Sequence, residues 1–179
     1  MNLTLIGYRA TGKTTLARML SERLGWEWID ADVRIEELAG KSIAKIFSED
    51  GEPVFRDLEA KVIAEQCTRD RLVLASGGGA PMREESRDAM RRGGKVVWLT
   101  AEPETILARM NNDATSADRR PDLTDSGPLQ EIIEMLDKRN STYRETAHIE
   151  IDTEGKTPEQ LTEEILDKTQ LATGTKEGR

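Results

Sequence analysis

Residues 3 to 24, LTLIGYRATGKTTLARMLSERL, constrain this chain more than any other stretch. An apolar run, Leu3 to Ile6, stops at Gly7, and four residues later comes Gly12-Lys13-Thr14. Beyond it, Leu16, Leu20 and Leu24 recur at helical spacing. The pattern satisfies G-x-x-x-x-G-K-[ST], the loop that wraps phosphate between a strand and a helix. Glycine lets the backbone turn so that successive N–H groups point inward at phosphate oxygens, and the helix starting near Lys13 adds the positive end of its dipole. Lys13 has the reach for β- and γ-phosphates, and the Thr14 hydroxyl is a hard oxygen donor suited to Mg²⁺. Such a stretch predicts a nucleoside triphosphate site.

The rest of the chain repeats the alternation. Strands are predicted at Leu3 to Ile6, Trp26 to Ile29, Leu72 to Ala75, Lys95 to Leu99 and Ile149 to Ile151. Helical patterns run from Val33 to Leu38, closed by Gly40, and from Ser42 to Phe47, closed near Gly51. Pro53 opens a longer helix, with Phe55, Leu58 and Val62 on one face and Arg56 and Glu59 close enough to pair on another. Further helices are expected over Arg83 to Arg92, stopped by Gly93-Gly94, and over Pro103 to Met110 and Pro128 to Arg144. Thr157, Pro158 and Gln160 mark a last helix start. Residues 111 to 127 have no usable periodicity and are expected to form a lid, and residues 172 to 179 a disordered tail. The fold class is therefore α/β, a five-stranded parallel sheet covered on both faces. Ligands of such sheets sit at the strands' carboxyl ends, where Gly7, Asp30, Asp32, Gly77 to Gly79 and Asp152 all fall.

Composition excludes several classes. A net charge of −8 makes the chain a poor generic binder of nucleic acid or membrane. With one cysteine, Cys67, and one histidine, His148, no disulfide framework and no Cys/His zinc site can be built. Cys67 reads as a packed thiol and His148 as structural. No apolar stretch approaches the length of a membrane span and no basic-then-apolar leader opens the chain, so a cytoplasmic protein is expected.

Other constellations each carry two readings. If the strand continues through Asp30-Ala31-Asp32, both carboxylates share a face, one to help hold Mg²⁺ and one to accept a proton; the bland reading makes Asp32 a helix N-cap. Arg56 and Arg139 are either solvated helix residues or a fork for a carboxylate. Gly77-Gly78-Gly79 marks either a close approach to a small hydroxylated ligand or a plain tight turn. Arg119 and Arg120 are exposed loop charges or a lid arginine for the transferring phosphoryl group.

Taken in order, GYRATGKTT (7–15), IDAD (29–32), GKSIAKIF (40–47), DGEPVFRDLE (50–59), SGGGAP (76–81), RRPDL (119–123), KRNSTYRE (138–145) and IDT (151–153) resemble the shikimate kinase family over nearly the whole chain. The resemblance implies the nucleoside-monophosphate-kinase-like fold: a single P-loop kinase domain over 1–171, with a substrate-binding subdomain at about 32–62 and the lid at about 111–127. It implies ATP- and Mg²⁺-dependent phosphorylation of the shikimate 3-hydroxyl, in aromatic amino-acid biosynthesis; a monomer is expected, although no residue pattern fixes the oligomeric state. Gly7, Ala10, Thr11, Gly12 and Thr15 would then belong to the nucleotide site with Lys13, and Thr14 and Asp30 to the metal. Asp32 would hold and deprotonate the attacking hydroxyl. Arg56 and Arg139 would clamp the shikimate carboxylate, Glu59 would support Arg56, and Gly78 and Gly79 would meet ring hydroxyls. Arg120 would be the lid arginine, and Arg109 and Pro158 would flank the adenine.

Two departures stand out. Ala10 replaces a frequent glycine, which the loop tolerates if position 10 needs no positive φ. The lid is also slightly long. Two rivals remain open on sequence: a gluconate kinase of the same fold, and a nucleotide-binding regulatory module that has no need of Asp32 or Arg120.

Overall fold

The computed structural model describes residues 1–112 and 127–171. Its centre is strand β1, Asn2–Ile6, every residue of which is buried. Strands β2 (Glu27–Asp30), β3 (Leu72–Ala75), β4 (Gly94–Thr100) and β5 (Ile149–Asp152) join it in a parallel sheet of order β2-β3-β1-β4-β5. Leu3 and Leu5 pair in register with Val73 and Ala75 on one side and with Lys95 and Val97 on the other.

The period of two along each strand divides the core. Leu3, Leu5, Val73, Val97 and Leu99 pack on helices α1 (Lys13–Leu24) and α8 (Pro158–Thr169), through Leu16, Leu20 and Ile165. Ile6, Leu74, Val96 and Trp98 face the other layer. That layer is built from α2 (Ala31–Ala39), α4 (Glu52–Cys67), α5 (Glu84–Gly93) and α7 (Pro128–Thr146). Helix α6, Pro103–Asn112, packs on α7 through Ile106 and Ile132. The central strands β1, β3 and β4 are covered on both faces and largely buried, while the edge strands β2 and β5 keep exposed residues.

Local chemistry accounts for most boundaries. Gly25 and Gly40, at φ 66° and 67°, close α1 and α2 in the left-handed conformation. Thr157 and Gln160 form a reciprocal capping box at the start of α8, with Pro158 in the first turn. The helix predicted over Ser42 to Phe47 begins as expected, with Ser42 capping a short α3 (Ile43–Lys45), but then widens into a π turn, Ile46–Asp50.

Gly93-Gly94 does more than stop a helix. Gly93 is the last residue of α5 and Gly94 the first of β4, with no loop between. A Cβ on Gly93 would lie 2.8 Å from the Cys67 carbonyl oxygen, and one on Gly94 would lie 2.6 Å from the Asn2 nitrogen. Only glycine permits this approach. Cys67 is buried, and desolvation pushes its thiol up to about 11, as suits a packed rather than reactive sulfur. Helix α6 continues two residues into the predicted lid; most of that lid, with Arg119 and Arg120, and the tail 172–179 lie outside the described residues.

Candidate active site

The phosphate loop joins β1 to α1. Gly7 sits at φ +137°, and a Cβ there would come within 2.5 Å of the Leu99 carbonyl oxygen, so both conformation and space demand glycine. Gly12, at φ +95°, is the N-cap of α1. Ala10 adopts φ 59°, so position 10 does require the left-handed region, and the alanine is held there against its preference. Thr11 donates its hydroxyl to the Tyr8 carbonyl at 2.8 Å, tightening the loop. The largely buried Lys13 ammonium lies across the loop, donating to the Gly7 and Tyr8 carbonyls at 2.9 and 2.6 Å. Thr14 and Thr15 follow in the first turn of α1, both exposed.

The acidic pair is arranged differently from the extended picture. The strand ends at Asp30, which is itself the N-cap of α2: its Oδ1 accepts from the Asp32 backbone N–H at 2.9 Å. Asp32 already lies in the first helical turn, so the two carboxylates do not share a strand face and the capping residue is Asp30. The other oxygen of Asp30 accepts the Thr14 hydroxyl at 2.7 Å. A hydroxyl and a carboxylate are thus together, hard donors of the kind that hold Mg²⁺ beside triphosphate oxygens.

The glycine triplet is where the distant residues meet. A Cβ on Gly78 would lie 3.3 Å from the Gly7 carbonyl oxygen, 3.6 Å from Arg139 Nη1 and 3.7 Å from the Arg9 nitrogen. One on Gly79 would lie 2.8 Å from Arg56 Cζ. Neither glycine has a positive φ; a Cβ on Gly79 would displace the Arg56 guanidinium, and one on Gly78 would fit only tightly against the Gly7 carbonyl. Arg56 and Arg139 therefore stand beside the same triplet, which itself leans on the phosphate loop. Arg56 donates to Glu59 at 2.7 Å, the pairing expected from their spacing. Burial opposes the charge on Arg56, but Glu59 and Glu52 outweigh it and hold the guanidinium above its ordinary pKa.

Sequence reasoning missed the residues that assemble this site. Tyr143, fully buried, donates its hydroxyl to the Gly78 carbonyl at 2.5 Å. The Tyr8 ring lies under two guanidinium groups, with Arg9 Cζ at 5.7 Å and Arg139 Cζ at 5.9 Å from its centroid. Arg9 also pairs at 3.2 Å with Glu131, a buried carboxylate on α7. Glu131, Arg139 and Tyr143 recur at multiples of four along that helix, a spacing that marks one stripe and was available in the sequence.

Beyond the carboxyl end of β5, Arg109 of α6 donates to the Thr153 hydroxyl at 3.0 Å and to its carbonyl at 3.4 Å. Thr153 is buried and donates in turn to the Thr100 carbonyl at 2.8 Å. Arg109 is so fixed against the turn that leads from β5 to the exposed Pro158. Asp152, at the carboxyl end of β5, accepts the Glu154 N–H at 3.0 Å and serves that turn. Arg120 lies outside the described residues.

Comparison with known proteins follows the same lines. The solved structure of shikimate kinase from Acinetobacter baumannii in complex with shikimate superposes with a TM-score of 0.86 at 37% identity, covering 93% of this chain and 90% of that one. The shikimate kinases of Rhodopirellula baltica and Symbiobacterium thermophilum are 42% and 40% identical, over 92% and 95% of this chain and 88% and 97% of their own lengths. A gluconokinase from Sinorhizobium meliloti, at 15% identity and TM-score 0.54 over 93% of this chain and 89% of its own, shares the fold alone. The family model described as shikimate kinase matches residues 9–170, from the phosphate loop to the end of α8, and with relatives this similar along most of their length the chain belongs to the shikimate kinase family.

Proposed function

We propose that this small-molecule kinase transfers the γ-phosphoryl group of ATP to the 3-hydroxyl of shikimate in the cleft between the phosphate loop and the glycine triplet. The observation that carries the reading is the position of Gly78, within a side chain's reach of the Gly7 carbonyl, the Arg9 nitrogen and Arg139 Nη1 at once, with Arg56 against its neighbour Gly79. Two guanidinium groups are thereby held next to a triphosphate bed, which suits a small acceptor bearing a carboxylate.

In this reading Gly7, Ala10, Thr11, Gly12 and Thr15 present the loop to ATP, and Lys13 moves from the loop carbonyls to the phosphates. Arg109 and Pro158 flank the adenine. Thr14 and Asp30 hold Mg²⁺, directly or through water; when bound, the ion supplies neutralisation of the phosphate charge. Asp32, anchored in the first turn of α2, accepts the hydroxyl proton as the acceptor oxygen attacks in line. Arg56 and Arg139 grip the carboxylate, Glu59 braces Arg56, and Gly78 and Gly79 meet ring hydroxyls. Arg120 closes from the lid on the transferring group. Positioning and charge neutralisation then do most of the work, without a covalent enzyme intermediate.

The domain is proposed to span 1–171, with the acceptor subdomain at about 32–62 and the lid at about 111–127. A monomer in the cytoplasm, acting on ATP and shikimate in aromatic amino-acid biosynthesis without nucleic-acid or membrane partners, completes the proposal. Among the described residues no helix is long and apolar enough to cross a membrane. A coupled ATP-consumption assay with shikimate and gluconate in parallel tests the reading. Turnover of shikimate is expected; turnover of gluconate alone would end it.

A further inference from the structure

Arg56 holds two carboxylates of unequal standing. Its Nη1 donates to Glu59 Oε2 at 2.7 Å, and the Glu59 side chain is 3% exposed. Its Nε and Nη2 both donate to one oxygen of Glu52, at 3.2 and 3.1 Å, and the Glu52 side chain is 57% exposed. Glu59 is fixed by burial and Glu52 is not.

The edge that Glu52 occupies is the useful one. Nε–H and Nη2–H run parallel and match the two oxygens of a carboxylate one to one. Glu52 meets both with a single oxygen, so the match is incomplete. Its alternative is comfortable: it is the first residue of α4, where a carboxylate left in water still faces the positive end of the helix. With two glutamates on one guanidinium the local charge is already negative, and a third carboxylate is admitted only when one of them leaves.

Resting on the carboxylate-clamp reading above, we propose that Glu52 is a displaceable stand-in for the acceptor carboxylate. It holds the Nε/Nη2 edge of Arg56 until an acceptor arrives, then swings into water as the acceptor's two oxygens take that edge. Glu52 is thus a specificity-determining residue. It weakens those acceptors whose carboxylate must take its place on Arg56, and leaves untouched those that do not engage that edge.

The test is E52Q, with E49Q as a control that removes an equally exposed charge from Glu49, which pairs with Lys41 instead. Calorimetry with shikimate and the acceptor KM are read for both. E52Q is expected to tighten shikimate binding about two- to fivefold, the worth of an exposed ion pair, with the change in acceptor KM and not in ATP KM. E49Q should not reproduce it, and the methyl ester of shikimate should gain nothing from E52Q. Unchanged or weakened shikimate binding in E52Q would make Glu52 a brace and overturn the proposal. Equal gains for the ester or from E49Q would overturn it as well, by showing a general charge effect. A wild-type protein that does not bind or phosphorylate shikimate would instead overturn the functional reading on which this rests.

Discussion

Tyr143 and Gly78 are 65 residues apart in sequence and joined by one hydrogen bond, from the phenol to the glycine carbonyl at 2.5 Å. Both residues are buried. One turn before Tyr143, Arg139 reaches the same glycine from the same helix. The bond therefore sets the height of α7 against the triplet and the depth at which Arg139 stands.

Tyr143→Phe removes the donor and leaves a buried carbonyl unpaired. The expected cost is about 1–3 kcal/mol of stability, read by denaturant unfolding. The acceptor KM should rise while the ATP KM stays near wild type, because Gly78 and Arg139 lose their common anchor. A variant as stable as wild type with unchanged kinetics would show that packing alone holds α7 in place.

Ala10 offers the opposite change. At φ 59° it occupies a region where an L side chain is strained by about 1–2 kcal/mol and glycine is not. Ala10→Gly releases that strain but gains freedom in the unfolded chain, a loss of about 0.5–1 kcal/mol. The balance predicts a variant slightly more stable, by about 0.5–1 kcal/mol in chemical denaturation. A destabilised variant would mean that the alanine methyl makes contacts worth more than the backbone strain.

What was legible in the sequence followed from short-range rules. The phosphate loop, the five strands and the caps at Gly40, Ser42 and Thr157 are set by residues within a few positions of one another. Arg56 and Glu59 were readable as a pair for the same reason. The meeting of Arg56 with Gly79, and of Arg139 with Gly78, depends on two helices docking on one loop, which no local spacing encodes. The shared strand face expected for Asp30 and Asp32 fails because period-two reasoning does not extend past the strand's end, where Asp30 has already turned the chain into a helix. The left-handed turn at Ala10 was hidden because its residue type argues against the conformation the loop imposes.

Gly79→Ala tests the docking of Arg56 directly. The added methyl would fall 2.8 Å from Arg56 Cζ and 2.9 Å from Nη2, so the guanidinium must shift. A displaced fork no longer meets a carboxylate squarely. The acceptor KM is expected to rise at least about tenfold, the worth of a charge-assisted pair, with nucleotide affinity retained. An unchanged acceptor KM would take Arg56 out of the acceptor pocket.

His148 predicts how stability responds to acid. Its Nδ1 accepts the Val96 N–H at 3.0 Å, which requires the unprotonated ring nitrogen. Burial, then the charges of Arg91 and Lys95, hold its pKa below the ordinary 6.5. A base whose folded pKa is lowered binds its proton more readily when unfolded, so its contribution is present above about pH 6.5 and lost as pH falls toward the folded value. Thermal midpoints should therefore decline as pH drops below about 6.5. His148→Asn keeps an acceptor for Val96 without a titrating ring and should flatten that part of the profile. An identical slope in the variant would assign the acid sensitivity to other groups.

Asp32 and Arg139 separate chemistry from binding. The Asp32 backbone N–H bonds to Asp30, so Asp32→Asn preserves that cap of α2 while it removes the carboxylate's charge and its capacity to take a proton. For a general base the expected loss in kcat is on the order of 10² or more, with ATP binding near wild type. On the proposed roles, Arg139→Ala leaves the base intact but removes one of the two guanidinium groups assigned to the acceptor, so the loss should fall on the shikimate KM, by about 1–3 kcal/mol. Measured side by side under saturating ATP, the two variants should split kcat from KM in opposite directions. If Asp32→Asn changed only KM, the carboxylate would hold the acceptor without taking its proton, and the base would have to be sought elsewhere in the cleft.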